Sequence, residues 1–288
     1  MKNIGFIGLG LMGKPMANHF LNKKYKLFIW NRTSSKVLSL IKKGASYQNN
    51  LNYLLLQSDI IITMLTDDSA VNEIVNNDNF FKNIKNKILI DMSSISPGMA
   101  IKLYNLSKKN GVSFLDAPVS GGTKGAKEGS LAIMVGGEKK SFFKVKKILE
   151  EMGTPTYLGK AGNGQIAKLA NQTIVAITIG AVAEAILLSN TAGIKPEVLL
   201  KALKGGFADS KILQLHGRRM ISDNFKPGGL SSTQLKDLNN IINHSKKMSL
   251  KLPLSLNTQK LFKSLVKNGY GNLDHSALFL EIKNKNLK

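Results

Sequence analysis

The chain has 288 residues, 43% of them hydrophobic, which is enough for two domains with a substantial core. It contains no cysteine, so disulfides, thiolate metal sites and cysteine nucleophiles are excluded, and its four histidines (His19, His216, His244, His275) are too scattered in sequence to suggest a metal cluster. The formal charge of +23 invites a nucleic-acid reading, but the lysines are spread through almost every segment, with neither a dense basic arm nor an aromatic-interleaved stripe.

Most of that charge is therefore read as solvated surface with an attraction for small anions. The opening residues, MKNIGFIG, pass into an apolar run too short and too glycine-rich for a signal peptide or membrane anchor, so a cytoplasmic protein is expected. No metal is expected.

Asn3 to Gly8 read as a short buried strand. The turn that follows, GLGLMG, holds Gly8, Leu9, Gly10, Leu11, Met12 and Gly13 in Gly-x-Gly-x-x-Gly spacing, and an apolar-periodic helix begins through Met16 and Phe20. Glycines at this spacing let a pyrophosphate approach the backbone at the start of a helix, whose free N–H groups favour an anion. A second strand, Lys26 to Trp30, ends about twenty residues beyond the second glycine, where an NAD-binding fold carries an acidic residue for the ribose hydroxyls. This chain has Asn31, Arg32 and Thr33 there. An arginine and a hydroxyl suit a 2′-phosphate, so NADP(H) is favoured and NAD(H) remains possible; the alternative is a surface arginine in a turn.

Strand and helix then alternate: helix 34–43, strand 59–64, helix 70–75, strand 87–91, helix 98–109 and strand 113–116. Such alternation predicts a parallel sheet with helices on both faces and a ligand beyond the carboxyl ends of its strands. Met64, Leu65 and Ser94 fall at those ends and are expected to border the cofactor. The loop DAPVSGGTKGAKEGS clusters Ser120, Gly121 and Gly122, which can present successive N–H groups and a hydroxyl to a carboxylate; by itself it reads equally as a flexible turn. A strand at 131–135 and a helix at 140–152 complete the domain.

The stretch from Gly159 to Thr191 runs for about 28 residues without proline, a helix of about 42 Å. Lys168 lies in its first turns, with Asn171 and Gln172 on the same face. Lys168 reads either as a proton donor in a cleft or as a lysine whose stem packs while its ammonium reaches water. Helical patterns at 195–203, 210–220, 233–248 and 257–268 follow, separated by Gly, Pro or Asn. The expected division is residues 1–162 and 163–288.

Five motifs carry a resemblance over essentially the whole chain: GFIGLGLMGKPMA, DAPVSGG, GNGQIAKLANQ, LKDL and GNLDHSAL. In order and spacing they resemble the β-hydroxyacid dehydrogenase family. KLANQ and DHSAL look most like its 2-hydroxy-3-oxopropionate reductases, with 3-hydroxyisobutyrate dehydrogenases close behind, while the Asn31-Arg32-Thr33 turn is similar to that of the NADPH-using glyoxylate and succinic semialdehyde reductases. The resemblance implies an α/β chain with an N-terminal Rossmann-type doubly wound parallel sheet, a long interdomain helix and an all-α C-terminal domain. It implies interconversion of a short semialdehyde acid and its β-hydroxyacid, with a homodimer or homotetramer as the working form.

Carried over by residue, it implies that Gly8, Gly10 and Gly13 hold the pyrophosphate and that Leu65 and Ser94 line the cofactor site. Ser120, Gly121 and Gly122 would bind the substrate carboxylate. Lys168 would be the catalytic acid/base, Asn171 a substrate-orienting amide and Lys236 a contact near the nicotinamide. Where family members carry charged or bulky residues before LKDL, this chain has Gly229-Leu230-Ser231-Ser232, so its side-chain pocket is expected to differ. A 6-phosphogluconate-type decarboxylase would need a longer helical domain, an imine reductase would replace Lys168, and a basic nucleic-acid-associated protein on the same fold is the reading from another class.

Overall fold

The computed structural model describes residues 1–21, 24–77 and 79–286. Compactness divides the chain into Met1–Lys168 and Leu169–Lys288. The first unit begins with β1 (Lys2–Ile7), α1 (Gly13–Asn18), β2 (Tyr25–Trp30), α2 (Leu38–Ile41), β3 (Ser46–Tyr47), α3 (Leu51–Gln57), β4 (Ile60–Thr63), α4 (Asp68–Val75), α5 (Phe80–Asn83) and β5 (Ile88–Asp91). It continues with α6 (Pro97–Lys109), β6 (Ser113–Asp116), β7 (Val119–Ser120), α7 (Gly122–Glu128), β8 (Leu131–Gly137), α8 (Lys139–Leu149) and β9 (Gly153–Tyr157).

The strand order is β3-β2-β1-β4-β5-β6-β8-β7, with β9 beside β8. From β3 to β6 every pairing is parallel, whereas β8 runs antiparallel to β6 and β7. Connections leave β1 and β4 in opposite directions, so the crevice beyond these two strands is the switch point at which doubly wound sheets take a ligand. Both faces of the sheet are covered, and the strands divide their side chains by alternation. Ile4, Phe6, Ile29, Ile62, Ile90 and Leu115 enter one core; Ile7, Phe28, Ile61, Leu89 and Phe114 enter the other.

The predicted 34–43 helix is a 3₁₀ turn over Ser34–Lys36 followed by the one-turn α2. The expected glycine-rich loop is in fact β7 followed by α7, with Gly125 and Ala126 buried. Short strands and glycine-bearing helices carry little propensity signal, because each glycine costs a helix about 1 kcal/mol. Here pairing with β8 and the 2.8 Å contact of the His19 ring with the Ala126 carbonyl supply what local sequence does not.

α9 (Asn163–Thr191) spans the division between the units. By length and composition it could cross a membrane, but Ala176, Ile179, Val182, Ala183 and Ile186 pack into the core of the second unit. That unit adds α10 (Pro196–Leu203), α11 (Arg218–Ile221), α12 (Ser231–Lys247), α13 (Pro253–Lys267) and α14 (Leu278–Asn286). The predicted 210–220 helix is wound as a wider π-helix over Leu213–Gly217 before α11.

His216 on that wide turn faces Asp274 at 3.5 Å and meets the His275 ring at 4.6 Å, so two of the histidines that look unrelated in sequence are neighbours in space. Asp274 is completely buried and already engaged on both oxygens. Oδ1 accepts from the amide and hydroxyl of Ser276; Oδ2 accepts from the amides of Gly228 and Gly229 and pairs with Arg219 at 3.1 Å. This leaves no open lone pair for a metal, although His216, Asp274 and His275 lie within metal-ligand reach of one another. Gly229, which opens the stretch that departs from the family pattern ahead of LKDL, is one of the two glycines whose amides hold this carboxylate.

Burial works to raise the Asp274 pKa, but the His216 bond, the His275 charge and the Ser276 and Gly228 bonds outweigh it and hold the group well below the usual carboxylate range. A depressed carboxylate contributes stability above its unfolded pKa and loses it as pH falls through the folded value. Asp274→Asn should therefore cost about 3–5 kcal/mol at pH 7, by leaving Arg219 and two amides facing an NH₂ group. Urea denaturation at several pH values should show that deficit narrowing below about pH 4.

Candidate active site

The glycine turn between β1 and α1 is built by close approach. Gly8 has φ 97°, a conformation that L side chains rarely adopt, and a Cβ on Gly13 would strike the Gly8 carbonyl. A Cβ on Gly10, by contrast, would meet nothing within 4 Å, so the outer side of the turn is open to a ligand. Leu9 is buried, Leu11 exposed and Met12 half-buried at the turn. These features fit the pyrophosphate of a dinucleotide.

Asn31 spends its side chain on this turn: Oδ1 accepts from the Leu9 amide at 2.8 Å and Nδ2 donates to the Thr33 carbonyl at 2.8 Å. Arg32 and Thr33 are exposed, and Arg32 pairs with Glu73 on α4 at 3.4 Å.

The ends of β4 and β5 are tied together. The Leu65 amide donates to Ser93 Oγ at 2.9 Å, and both Ser93 Oγ and Thr63 Oγ1 donate to Asp91 Oδ1, at 2.6 and 2.7 Å. Met64, Leu65 and Ser94 are half-buried beside this chain of bonds. Burial pushes the Asp91 carboxyl up to about 6, with the Ser93 and Thr63 bonds offsetting only part of the effect. A raised carboxylate gives stability below its unfolded pKa and loses it as pH rises through the folded value, so above about pH 6 the Asp91 charge is held at a cost.

Ser120 ends β7 and is half-buried, while Gly121 and Gly122 follow, exposed, with φ 140° and 61°. A side chain at Gly122 would thus strain the turn whatever binds there, which makes Ser120 the cleaner position to test.

Asp116, at the end of β6 and 0% exposed, caps α9. Its Oδ1 accepts from the Gly162 amide at 2.8 Å and its Oδ2 from the Gln165 amide at 2.9 Å. Gly164 permits this approach, since a Cβ there would collide with the Met134 carbonyl and with Asp116 itself. Gln165 adds a second tether, donating through Nε2 to the Ser93 carbonyl at 2.8 Å and accepting from the Ile95 amide at 3.2 Å. Lys168, only 8% exposed, follows Gln165 by three residues. Its register on α9 is therefore set by contacts with the ends of β5 and β6.

In the helical unit, Asn171 Nδ2 donates to Gln172 Oε1 at 2.8 Å, and Gln172 Nε2 donates to Asp237 Oδ2 at 2.6 Å. Asp237 also holds the Lys236 ammonium at 3.2 Å. Asn171 and Lys236 are thus joined through Gln172 and Asp237. Sequence reasoning did not assign Asp91, Asp116, Gln165 or Asp237 a part in the site. Asp116 and Asp237 lie inside the quoted motifs, but Gly162, Gln165 and Gln172, which donate to them, lie tens of residues away.

Family models match the chain in two parts: the NAD-binding domain of 6-phosphogluconate dehydrogenase over residues 3–164, and the NAD-binding region of NADP-dependent 3-hydroxyisobutyrate dehydrogenase over residues 162–281. A 2-hydroxy-3-oxopropionate reductase of Escherichia coli is 41% identical over 280 residues, covering 96% of this chain and 95% of its own. This chain belongs to the β-hydroxyacid dehydrogenase family.

As a β-hydroxyacid dehydrogenase it is an NAD(P)-dependent oxidoreductase acting on a CH–OH group. Glyoxylate/succinic semialdehyde reductase 2 of Arabidopsis thaliana is 30% identical, covering 98% of this chain and 79% of its own. A 3-hydroxyisobutyrate dehydrogenase of Mycobacterium tuberculosis, solved with L-serine, superposes with a TM-score of 0.89 at 26% identity, over 98% of this chain and 99% of its own.

Within this β-hydroxyacid dehydrogenase, Asp116→Ala should cost about 2–4 kcal/mol, because two buried amides lose their acceptor. It should also lower turnover at least about tenfold by loosening the first turns of α9. Thermal melts, with kinetics measured well below the melting point, check both effects; an unchanged kcat in a destabilised variant would separate the cap from Lys168.

Proposed function

We propose that the enzyme reduces a short semialdehyde acid, with 2-hydroxy-3-oxopropionate as the favoured substrate, and prefers NADPH to NADH. The substrate assignment is supported by the 41% identity to the E. coli reductase of that name, and the cofactor preference by Arg32 and Thr33 at the end of β2. The single observation that carries the mechanism is the buried Lys168 one turn beyond the capped start of α9.

When bound, the reduced nicotinamide supplies the hydride that the carbonyl carbon accepts. Lys168 donates a proton to the oxygen on which negative charge develops, and its ammonium stabilises that charge before transfer. Ser120, Gly121 and Gly122 receive the substrate carboxylate through a hydroxyl and successive amides. Asn171, oriented by Gln172, positions the substrate, and Lys236, held by Asp237, contacts the cofactor. Gly8 to Gly13 take the pyrophosphate, bordered by Met64, Leu65 and Ser94.

The working form is a homodimer or homotetramer. In support, Ile174 and Leu188 of α9 are 65% and 76% exposed, an unusual amount of apolar surface on a long helix.

A panel of 2-hydroxy-3-oxopropionate, methylmalonate semialdehyde, succinic semialdehyde and glyoxylate, followed by nicotinamide absorbance with each cofactor, should give the highest kcat/KM for the first with NADPH. Turnover of none of the four would overturn the proposal. Lys168→Ala should lower kcat about 10² to 10⁴-fold while NADPH still binds by fluorescence. Ser120→Ala should raise KM for the acid about tenfold with little change in cofactor affinity; an unmoved KM would place the carboxylate elsewhere.

A further inference from the structure

We infer that Glu73 is a specificity-determining residue that supplies the carboxylate missing from the end of β2, so that Arg32 and Glu73 together read either form of the cofactor. The inference rests on the proposed role of Arg32. Arg32 Nη1 lies 3.4 Å from Glu73 Oε2, joining the second residue after β2 to α4 across a separation of 41 residues.

Both bonds of the Asn31 amide fix the turn that carries Arg32, so the backbone is held and the guanidinium is the part left free to move. The two side chains are 79% and 63% exposed, and an exposed pair of this kind contributes little net stability. Neither is committed to the fold. Beyond Glu73 lies an open hollow lined by Trp30, Asn49, Asn50, Ile74 and Asn77, so the carboxylate is not needed to fill a core. The other two acids of this region have structural employment: Asp67 caps α4 at the Ala70 amide, and Asp68 accepts from the Ser96 amide.

The two cofactors meet this pair differently. A 2′-phosphate is strongly anionic and an arginine can bind it through two parallel hydrogen bonds, so it displaces Glu73 from Arg32. The displaced carboxylate remains on α4 within a Debye length of the phosphate and repels it. A ribose without the phosphate is neutral and offers two hydroxyl donors, which a carboxylate accepts. Glu73 therefore weakens NADPH binding and strengthens NADH binding, from the same position.

The test is titration of NADPH and NADH against wild type, Glu73→Gln and Arg32→Ala, with circular dichroism to verify folding. Glu73→Gln should tighten NADPH about threefold to tenfold and weaken NADH about threefold, and both changes should shrink between about 0.02 and 0.2 M salt. Arg32→Ala should weaken NADPH alone. Affinities for both cofactors that shift in the same direction, or not at all, in Glu73→Gln would overturn the role of Glu73. Loss of NADPH affinity in Arg32→Ala alongside that result would leave the Arg32 reading standing, whereas an Arg32→Ala protein that binds NADPH normally would remove the reading on which this one rests.

Discussion

Everything proposed for the chemistry depends on where α9 begins, and that is fixed by one carboxylate. A helix of 29 residues has free amides at its start and no local sequence means of choosing which residue comes first. Asp116 chooses, by accepting from Gly162 and Gln165 at once. A shift of one residue along the helix would rotate each following side chain by about 100°. The cap therefore determines which side chain occupies the Lys168 position as much as the lysine codon does. Gln165, tied to Ser93 and Ile95, makes the same choice a second time.

The cap belongs to a wider arrangement in which the ends of neighbouring strands are joined by side chains. Leu65, Ser93, Thr63 and Asp91 join β4 to β5, and Ser96 with Asp68 joins the starts of α6 and α4. Parallel strands place all these ends on one side of the sheet, so polar groups can be pooled there while the strand interiors stay apolar. The cost shows at Asp91, whose second oxygen has no hydrogen-bond partner among the described residues and whose pKa is raised by burial. A buried carboxylate accepted on such terms stabilises a particular loop geometry more than it stabilises the fold.

How far the sequence could be read follows from the range of each interaction. The parallel strands were legible because buried strands are short apolar runs bounded by turns, and the Gly8 to Gly13 turn because its spacing and flanks together are specific. β7, α7 and β9 were not, since two of them are short or glycine-bearing and the third is held by pairing with β8 rather than by pattern. Lys168 stood out as a cation on an apolar helix. The carboxylate that positions it did not, because a cap across 46 residues of chain leaves no trace in local spacing. For the same reason Glu73 is invisible beside Arg32, although both are plain in the sequence.

The long reach of that cap also bears on how the protein is made. Asp116 and the strand that carries it emerge from synthesis well before Gly162, and domains tend to fold as they emerge. The acceptor has thus already been synthesised when the first turn of α9 arrives. A helix this apolar, left to nucleate alone, would have many registers and ready intermolecular partners. Arriving after its own cap, it is given a starting residue by the chain that precedes it, and a fragment beginning at Asn163 would have to find its register without that instruction.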